Sequence, residues 1–217
     1  MGARETALTA LIACRKEDAW SNGVLKEYIR RDRLDRREAA LATRLCYGVL
    51  QNRILLDHYL TQLLTGKLKT LHPALRDILH LGLYQLYFMD KIPVSAAVNE
   101  SVSLAKKYCK KLQSAPGLAN GVLRSADRQR DSISQPKGYA EKYSHPQELV
   151  DLLKANVGKE RLEKMLIANN ATPETTVQVN TLRTDTDSLL AVLNGPSVVG
   201  YYEGSTNMKA LTHHYLY

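Results

Sequence analysis

Residues 72–130 read HPALRDILHLGLYQLYFMDKIPVSAAVNESVSLAKKYCKKLQSAPGLANGVLRSADRQR, and their apolar pattern decides the fold. Leu75, Ile78, Leu79, Gly82, Leu86 and Met89 recur at the helical period. Leu81, Leu83 and Phe88 widen that side until only a narrow polar wedge is left, at Arg76, Asp77, His80 and Tyr84. A helix this apolar belongs at the centre of a bundle. Gly82 lowers helix propensity, so its presence predicts a neighbouring helix in close approach. Pro93 suits the first position of the next helix. That helix is two-faced. Val94, Val98, Val102, Ala105, Cys109 and Leu112 lie on one side, and Lys106, Lys107, Lys110 and Lys111 on the other. Lysines four apart repel each other on a helix. Such a run is ordinarily a solvated face. Here Arg124, Arg128 and Arg130 come next on a third helix with few acids nearby, which points to an anion-binding face.

Upstream, Ala7, Leu8, Leu11 and Ile12 predict a first helix over 3–15, with Arg4 at its exposed start. Trp20, Ser21 and Asn22 read as a break, with Ser21 or Asn22 capping a second helix over 24–31. The arginines from Arg30 to Arg37 have acids among them and read as local surface pairs. Asp35 and Glu38 have capping-box spacing at the start of a third helix, in which Gly48 suggests tight packing. The helical pattern continues or bends through Leu64 and closes at Gly66.

Downstream, the polar stretch 131–144, with Pro136 and Gly138, reads as a linker and a domain boundary. Two helices come after it, broken at Gly158. The period then changes: Thr176–Asn180 alternates and is β-branched, Thr184–Leu193 is helical, and Ser197–Tyr202 reads as a second strand. The expected organisation is a helical domain over 1–130, the linker, and a segment over 145–217 in which a helical connector leads into an incomplete α+β unit.

The net charge of +8 is uneven. Residues 1–130 hold 22 basic and 12 acidic side chains, and residues 131–217 hold 8 and 10, so a polyanion contact belongs to the first part. Cys14, Cys46 and Cys109 are isolated, fit neither a disulfide framework nor a zinc site, and read as buried free thiols in a reducing cytoplasm. No apolar run is long enough to span a bilayer. No glycine-rich phosphate loop, GxSxG or HExxH occurs, and His58, His72, His80 and His145 stand alone in cap, core or surface settings. Tyr84, Tyr87, Tyr108 and Tyr143 offer stacking faces for unpaired bases, although aromatics at helical spacing are more often core.

LGLYQLYFMDKIPVSAAVNESVSLAKKY and then GLANGVLR resemble the NusB-type helical domain, and ARETALTALIAC and REAALATRLCYGVL are similar to its first and third helices. KYSHPQELVDLL and VQVNTLRT resemble the segment C-terminal to that domain in the bacterial 16S ribosomal RNA 5-methylcytosine methyltransferase family (RsmB, or Sun). There a helical connector leads into a small RRM-like α+β domain and then an S-adenosylmethionine domain. The resemblance implies a mainly α fold, binding of RNA, specifically 16S rRNA, and a ribosomal or transcription-complex protein as a further partner. It implies S-adenosylmethionine for the full-length family, whereas no counterpart of the catalytic domain is present in this sequence, so the chain reads as a truncated member with no cofactor of its own. The residues expected to touch RNA are Arg4, Lys106, Lys107, Lys110, Lys111, Arg124 and Arg128, with Arg183 in the VNTLRT segment as a further candidate. The alternative is a free-standing NusB-like antitermination factor, for which segment 145–202 would be superfluous.

Overall fold

The computed structural model describes residues 1–17, 21–171 and 179–193. The chain divides into two units, Met1–Asn170 and Ala171–Tyr217. The first unit contains α1 (Ala3–Glu17), α2 (Ser21–Arg31), α3 (Arg36–Gln51), α4 (Arg53–Leu63), a 3-10 turn at Leu68–Thr70, α5 (Pro73–Phe88), α6 (Val94–Tyr108), α7 (Ala115–Arg128), the short α8 (Tyr139–Lys142), α9 (Gln147–Val157) and α10 (Lys159–Asn170). The second has α11 (Thr186–Leu193), with Asp185 accepting the backbone N–H of Ser188 at 2.9 Å at its start. The described residues contain no strand. The expected strand at Ser197–Tyr202 lies outside them, as do residues 176–178 of the first.

Helix α5 is the axis of the first unit, packing against α1, α3, α4, α6 and α7. Twelve of its residues are buried, and they fall on every side of the helix. Two glycines set how closely its neighbours approach. A Cβ on Gly82 would lie 2.6 Å from both terminal methyls of the fully buried Leu123 in α7 and 3.0 Å from Ser101 Oγ in α6. A Cβ on Gly48 in α3 would collide with the Tyr84 ring.

Most of the polar wedge of α5 is buried, and only Arg76 stays partly exposed. Asp77 is 4% exposed and His80 0%. Asp77, His80 and Gln85 each find a partner on another helix, as the cost of desolvation favours, while the buried Nδ1 of His80 has none among the described residues. Arg15 Nε of α1 donates to Asp77 Oδ2 at 3.0 Å. Asp57 of α4 accepts from His80 Nε2 at 2.8 Å and from Arg76 Nε at 2.9 Å. Gln85, 1% exposed, accepts from Arg4 Nε at 2.7 Å and donates to Leu81 O at 2.9 Å. Burial works to raise the Asp57 carboxyl, but the bonds from His80 and Arg76 outweigh it and hold the group below the usual carboxylate range.

Several boundaries differ from those expected. Ser21 and Asn22 lie inside α2, and Pro93 caps α6 without entering it. The Asp35 side chain caps α3 at Glu38 N–H, 2.8 Å away, but Glu38 turns elsewhere and accepts Ala3 N–H at 2.6 Å, so the capping box is half-formed. Asn52 separates α3 from α4, and α4 ends at Leu64, ahead of Gly66. Cys14 is only partly buried, unlike Cys46 and Cys109.

Residues 131–144 are docked along α4. Ser134 O accepts from Gln62 Nε2 at 3.0 Å, Tyr59 Oη donates to Gln135 at 2.9 Å, and Ile54 N–H donates to Ser144 Oγ at 3.0 Å. Gln51 Nε2 reaches Asn170 O at 2.8 Å, so α9 and α10 belong to the first unit, around a small core of Ala140, Val150, Leu162 and Leu166.

Two outcomes are expected for stability. Gly82→Ala gains about 1 kcal/mol of helix propensity but overpacks Leu123, for a net loss of about 1–2 kcal/mol in urea unfolding; adding Leu123→Val recovers part of it. Asp57→Asn costs about 1–3 kcal/mol at neutral pH. Because the native carboxyl is held low, its contribution is full above the unfolded-state pKa and is lost as pH falls through the native value. The stability gap between wild type and Asp57→Asn therefore closes below about pH 4.

Candidate nucleic-acid interface

Helix α6 stops at Tyr108, two residues before Lys110. The reason is the core. Cys109 remains 4% exposed, with Sγ 3.9 Å from His72 Nδ1 at the start of α5, and Leu112 N–H closes a turn onto Cys109 O at 2.8 Å. Lys110 and Lys111 therefore sit in the α6–α7 turn and do not stack on Lys106 and Lys107, which corrects the continuous lysine face read from sequence. The turn also removes most of the like-charge cost of that stacking.

The expected residues fall into three groups. Arg4 and Lys107 face carboxylates. Lys107 Nζ pairs with Glu5 of α1, which also accepts from Tyr108 Oη at 2.7 Å. Burial raises the Glu5 carboxyl, but its bonds to Lys107 and Tyr108 bring it below the usual range. Burial and then the Glu5 contact push the Tyr108 hydroxyl well above the usual phenol value. Arg4 and Lys107 share a hollow of about 320 Å³ with Glu5, Glu38 and Glu100. By contrast, Lys106, Lys110 and Lys111 are exposed and make no hydrogen bond or ion pair with described residues.

Arg124 and Arg128 form the third group. The short connection returns α7 along α6, so at the helical rise Arg124 lies about 14 Å and Arg128 about 20 Å along α7 from the lysine turn. Arg124 Nε is bonded to Asn120 Oδ1 at 2.9 Å, and Arg130 lies 3.9 Å from Asp90. The structure thus separates a lysine end from an arginine end. Arg183 belongs to the second unit, where it is exposed.

Beside the lysine turn lies a feature that sequence reasoning missed. A hollow of about 540 Å³ is walled by Arg15 and Lys16 of α1, Tyr28 and Arg31 of α2, His72, and Tyr108 of α6. Arg31 forms the expected local pair with Asp32, at 2.7 and 3.0 Å, and lies 4.0 Å over the Tyr28 ring. The only signal in the sequence was a pair of basic residues at the end of each of two separate helices.

Among the described residues no group of His, Cys, Asp and Glu could hold a metal ion. Burial pushes the Cys46 thiol up to about 12 and also raises Cys109, which disfavours the nucleophilic thiolate. His58 and His145 bond to backbone carbonyls at 2.9 and 2.7 Å. The described helices and turns contain no strand–loop–helix cradle. No described helix is long and apolar enough to cross a membrane.

The geometry is a helical bundle whose expected cations divide between a lysine end and an arginine end, and the sequence of that bundle, residues 1–128, matches the NusB family. The chain belongs to the NusB family. Residues 145–199 match the ferredoxin-like domain of RsmF/B-like methyltransferases. A probable ribosomal RNA small subunit methyltransferase B of Bacillus subtilis is 36% identical over 195 residues, covering 86% of this chain and 42% of the relative. The chain thus spans less than half the length of the curated relatives it matches. T. maritima NusB has the same fold over 58% of this chain and 89% of its own, with a TM-score of 0.54 and 23% identity. The crystal structure of PH0851 aligns over 89% of this chain and 44% of its own, with a TM-score of 0.59 and 18% identity. At those identities the likeness to this NusB-family chain is one of fold. The mainly α class expected from residues 72–130 holds.

Proposed function

We propose that this chain binds ribosomal RNA of the small subunit, 16S rRNA, and positions it for cytosine-5 methylation by an RsmB-like, S-adenosylmethionine-dependent enzyme of the cytoplasm. The observation that carries the reading is the set Lys106, Lys110 and Lys111, three exposed ammoniums with no carboxylate partner among the described residues, the first in the last turn of α6 and the other two on the turn after it. Cations placed this way release counterions from a phosphate backbone and supply affinity without sequence information. Arg124 and Arg128 extend the contact along α7, and Arg183, exposed in the second unit, is a separate candidate of its own. Arg4 and Lys107 are weaker members, since their charges are opposed by Glu5, Glu38 and Glu100. The ferredoxin-like match over 145–199 favours this reading over a free-standing antitermination factor, because a minimal NusB protein has no use for it.

Binding of the chain to transcribed 16S rRNA fragments across a salt series tests the reading. Changing Lys106, Lys110 and Lys111 to Gln should weaken binding and flatten the slope of log K against log salt by about 2, at about 0.7 per lost phosphate contact. An unchanged slope, with equal affinity for unrelated RNAs, would leave only a basic helical scaffold and direct attention to a protein partner.

A further inference from the structure

The geometry points to the hollow between α1, α2 and the start of α5 as a pocket for a single unpaired nucleotide of the bound RNA, its base against the tyrosines and its phosphate at the Arg15–Lys16 rim. The inference rests on the RNA reading above and adds a second mode of contact to it. Several observations support it. The volume, about 540 Å³, is that of a small-ligand site. Among the described residues the lining carries three cationic side chains and no carboxylate. Asp77 and Asp32 hold Arg15 and Arg31 without themselves lining the hollow. Arg15 is held through Nε, so its two terminal nitrogens are not used by Asp77. Lys16 adds an exposed ammonium without a described partner, one positive charge to set against one phosphodiester.

The aromatic side is equally built. Tyr108 is half-buried, and its hydroxyl is fixed by Glu5 at 2.7 Å, which sets the ring. On the α2 wall, the Arg31 guanidinium lies 4.0 Å over the Tyr28 ring, a second aromatic group of the kind that accepts a base. Tyr108 is also the last residue of α6, so the chain passes from this wall directly into the Lys110–Lys111 turn. A strand whose backbone lies on that turn has the pocket next to it. A duplex offers no free base to fill it.

The test uses the full chain, fluorescence anisotropy, and two probes: labelled oligo-uridine and a labelled RNA duplex of the same length. Thr9→Phe fills the hollow from α1, and Lys16→Gln removes its exposed cation while leaving the packing alone. Both should lose about tenfold in affinity for the single strand, Thr9→Phe through one lost base stack and Lys16→Gln through one lost phosphate contact, with duplex binding nearly unchanged. Uridine monophosphate should compete only weakly. Single-strand and duplex binding unchanged in both variants would overturn the pocket, while the lysine-turn reading survives if its Gln variants still weaken both probes. Uridine monophosphate binding as tightly as the oligonucleotide would also overturn it, showing a free-nucleotide site in place of a docking point for a strand. Wild-type chain that binds neither probe would remove both readings.

Discussion

Helix α5 has no face left for water, and the rest of the first unit answers to that constraint. An apolar helix can be buried against any apolar neighbour. A helix that also carries Asp77, His80 and Gln85 into the core accepts only neighbours that bring partners for them. Arg15 and Arg4 of α1 and Asp57 of α4 are those partners. They fix where α1 and α4 cross the central helix, while Gly82 and Gly48 fix how closely α6, α7 and α3 approach. The specificity of the bundle thus lies in a few polar contacts and two missing side chains, set within a core that supplies the bulk of the driving force.

The same constraint arranges the lysine end. Cys109 has to stay against the core, so α6 stops at Tyr108 and the next two lysines are carried into a turn. Arg15 is drawn to Asp77, which leaves its guanidinium on the wall of a hollow that Tyr108 closes from the other side. The candidate surface is therefore a by-product of how α5 is buried, with charges held by the fold more than by one another.

Much of this was legible in the sequence. The period of residues 72–89 gave the central helix, the two glycines gave close packing, and the NusB resemblance gave the order of the helices. The features that were not legible depended on distance in space. The partners of the polar wedge of α5 could not be named because Arg15 and Asp57 lie far away in sequence. Lys106 and Lys110 looked stacked because nothing local marks Tyr108 as the last helical residue. Arg4 looked like a free cation because Gln85, 81 residues on, is the group it reaches. The stretch 131–144 has the composition of a linker, yet its backbone and hydroxyl groups find partners along α4. Arg15 and Arg31 carry no motif, and only the crossing of α1 and α2 makes them neighbours.

The central claim is that RNA is held where α6 turns into α7. The most direct measurement is ultraviolet cross-linking of the full chain to 4-thiouridine-substituted 16S rRNA fragments, with the cross-linked peptides mapped by mass spectrometry. The account predicts cross-links concentrated over Tyr108–Ser114 and the last turns of α1 and α2, near Lys16 and Arg31. Cross-links confined to the arginine end of α7 or to α9 and α10, with none at the lysine turn, would contradict it.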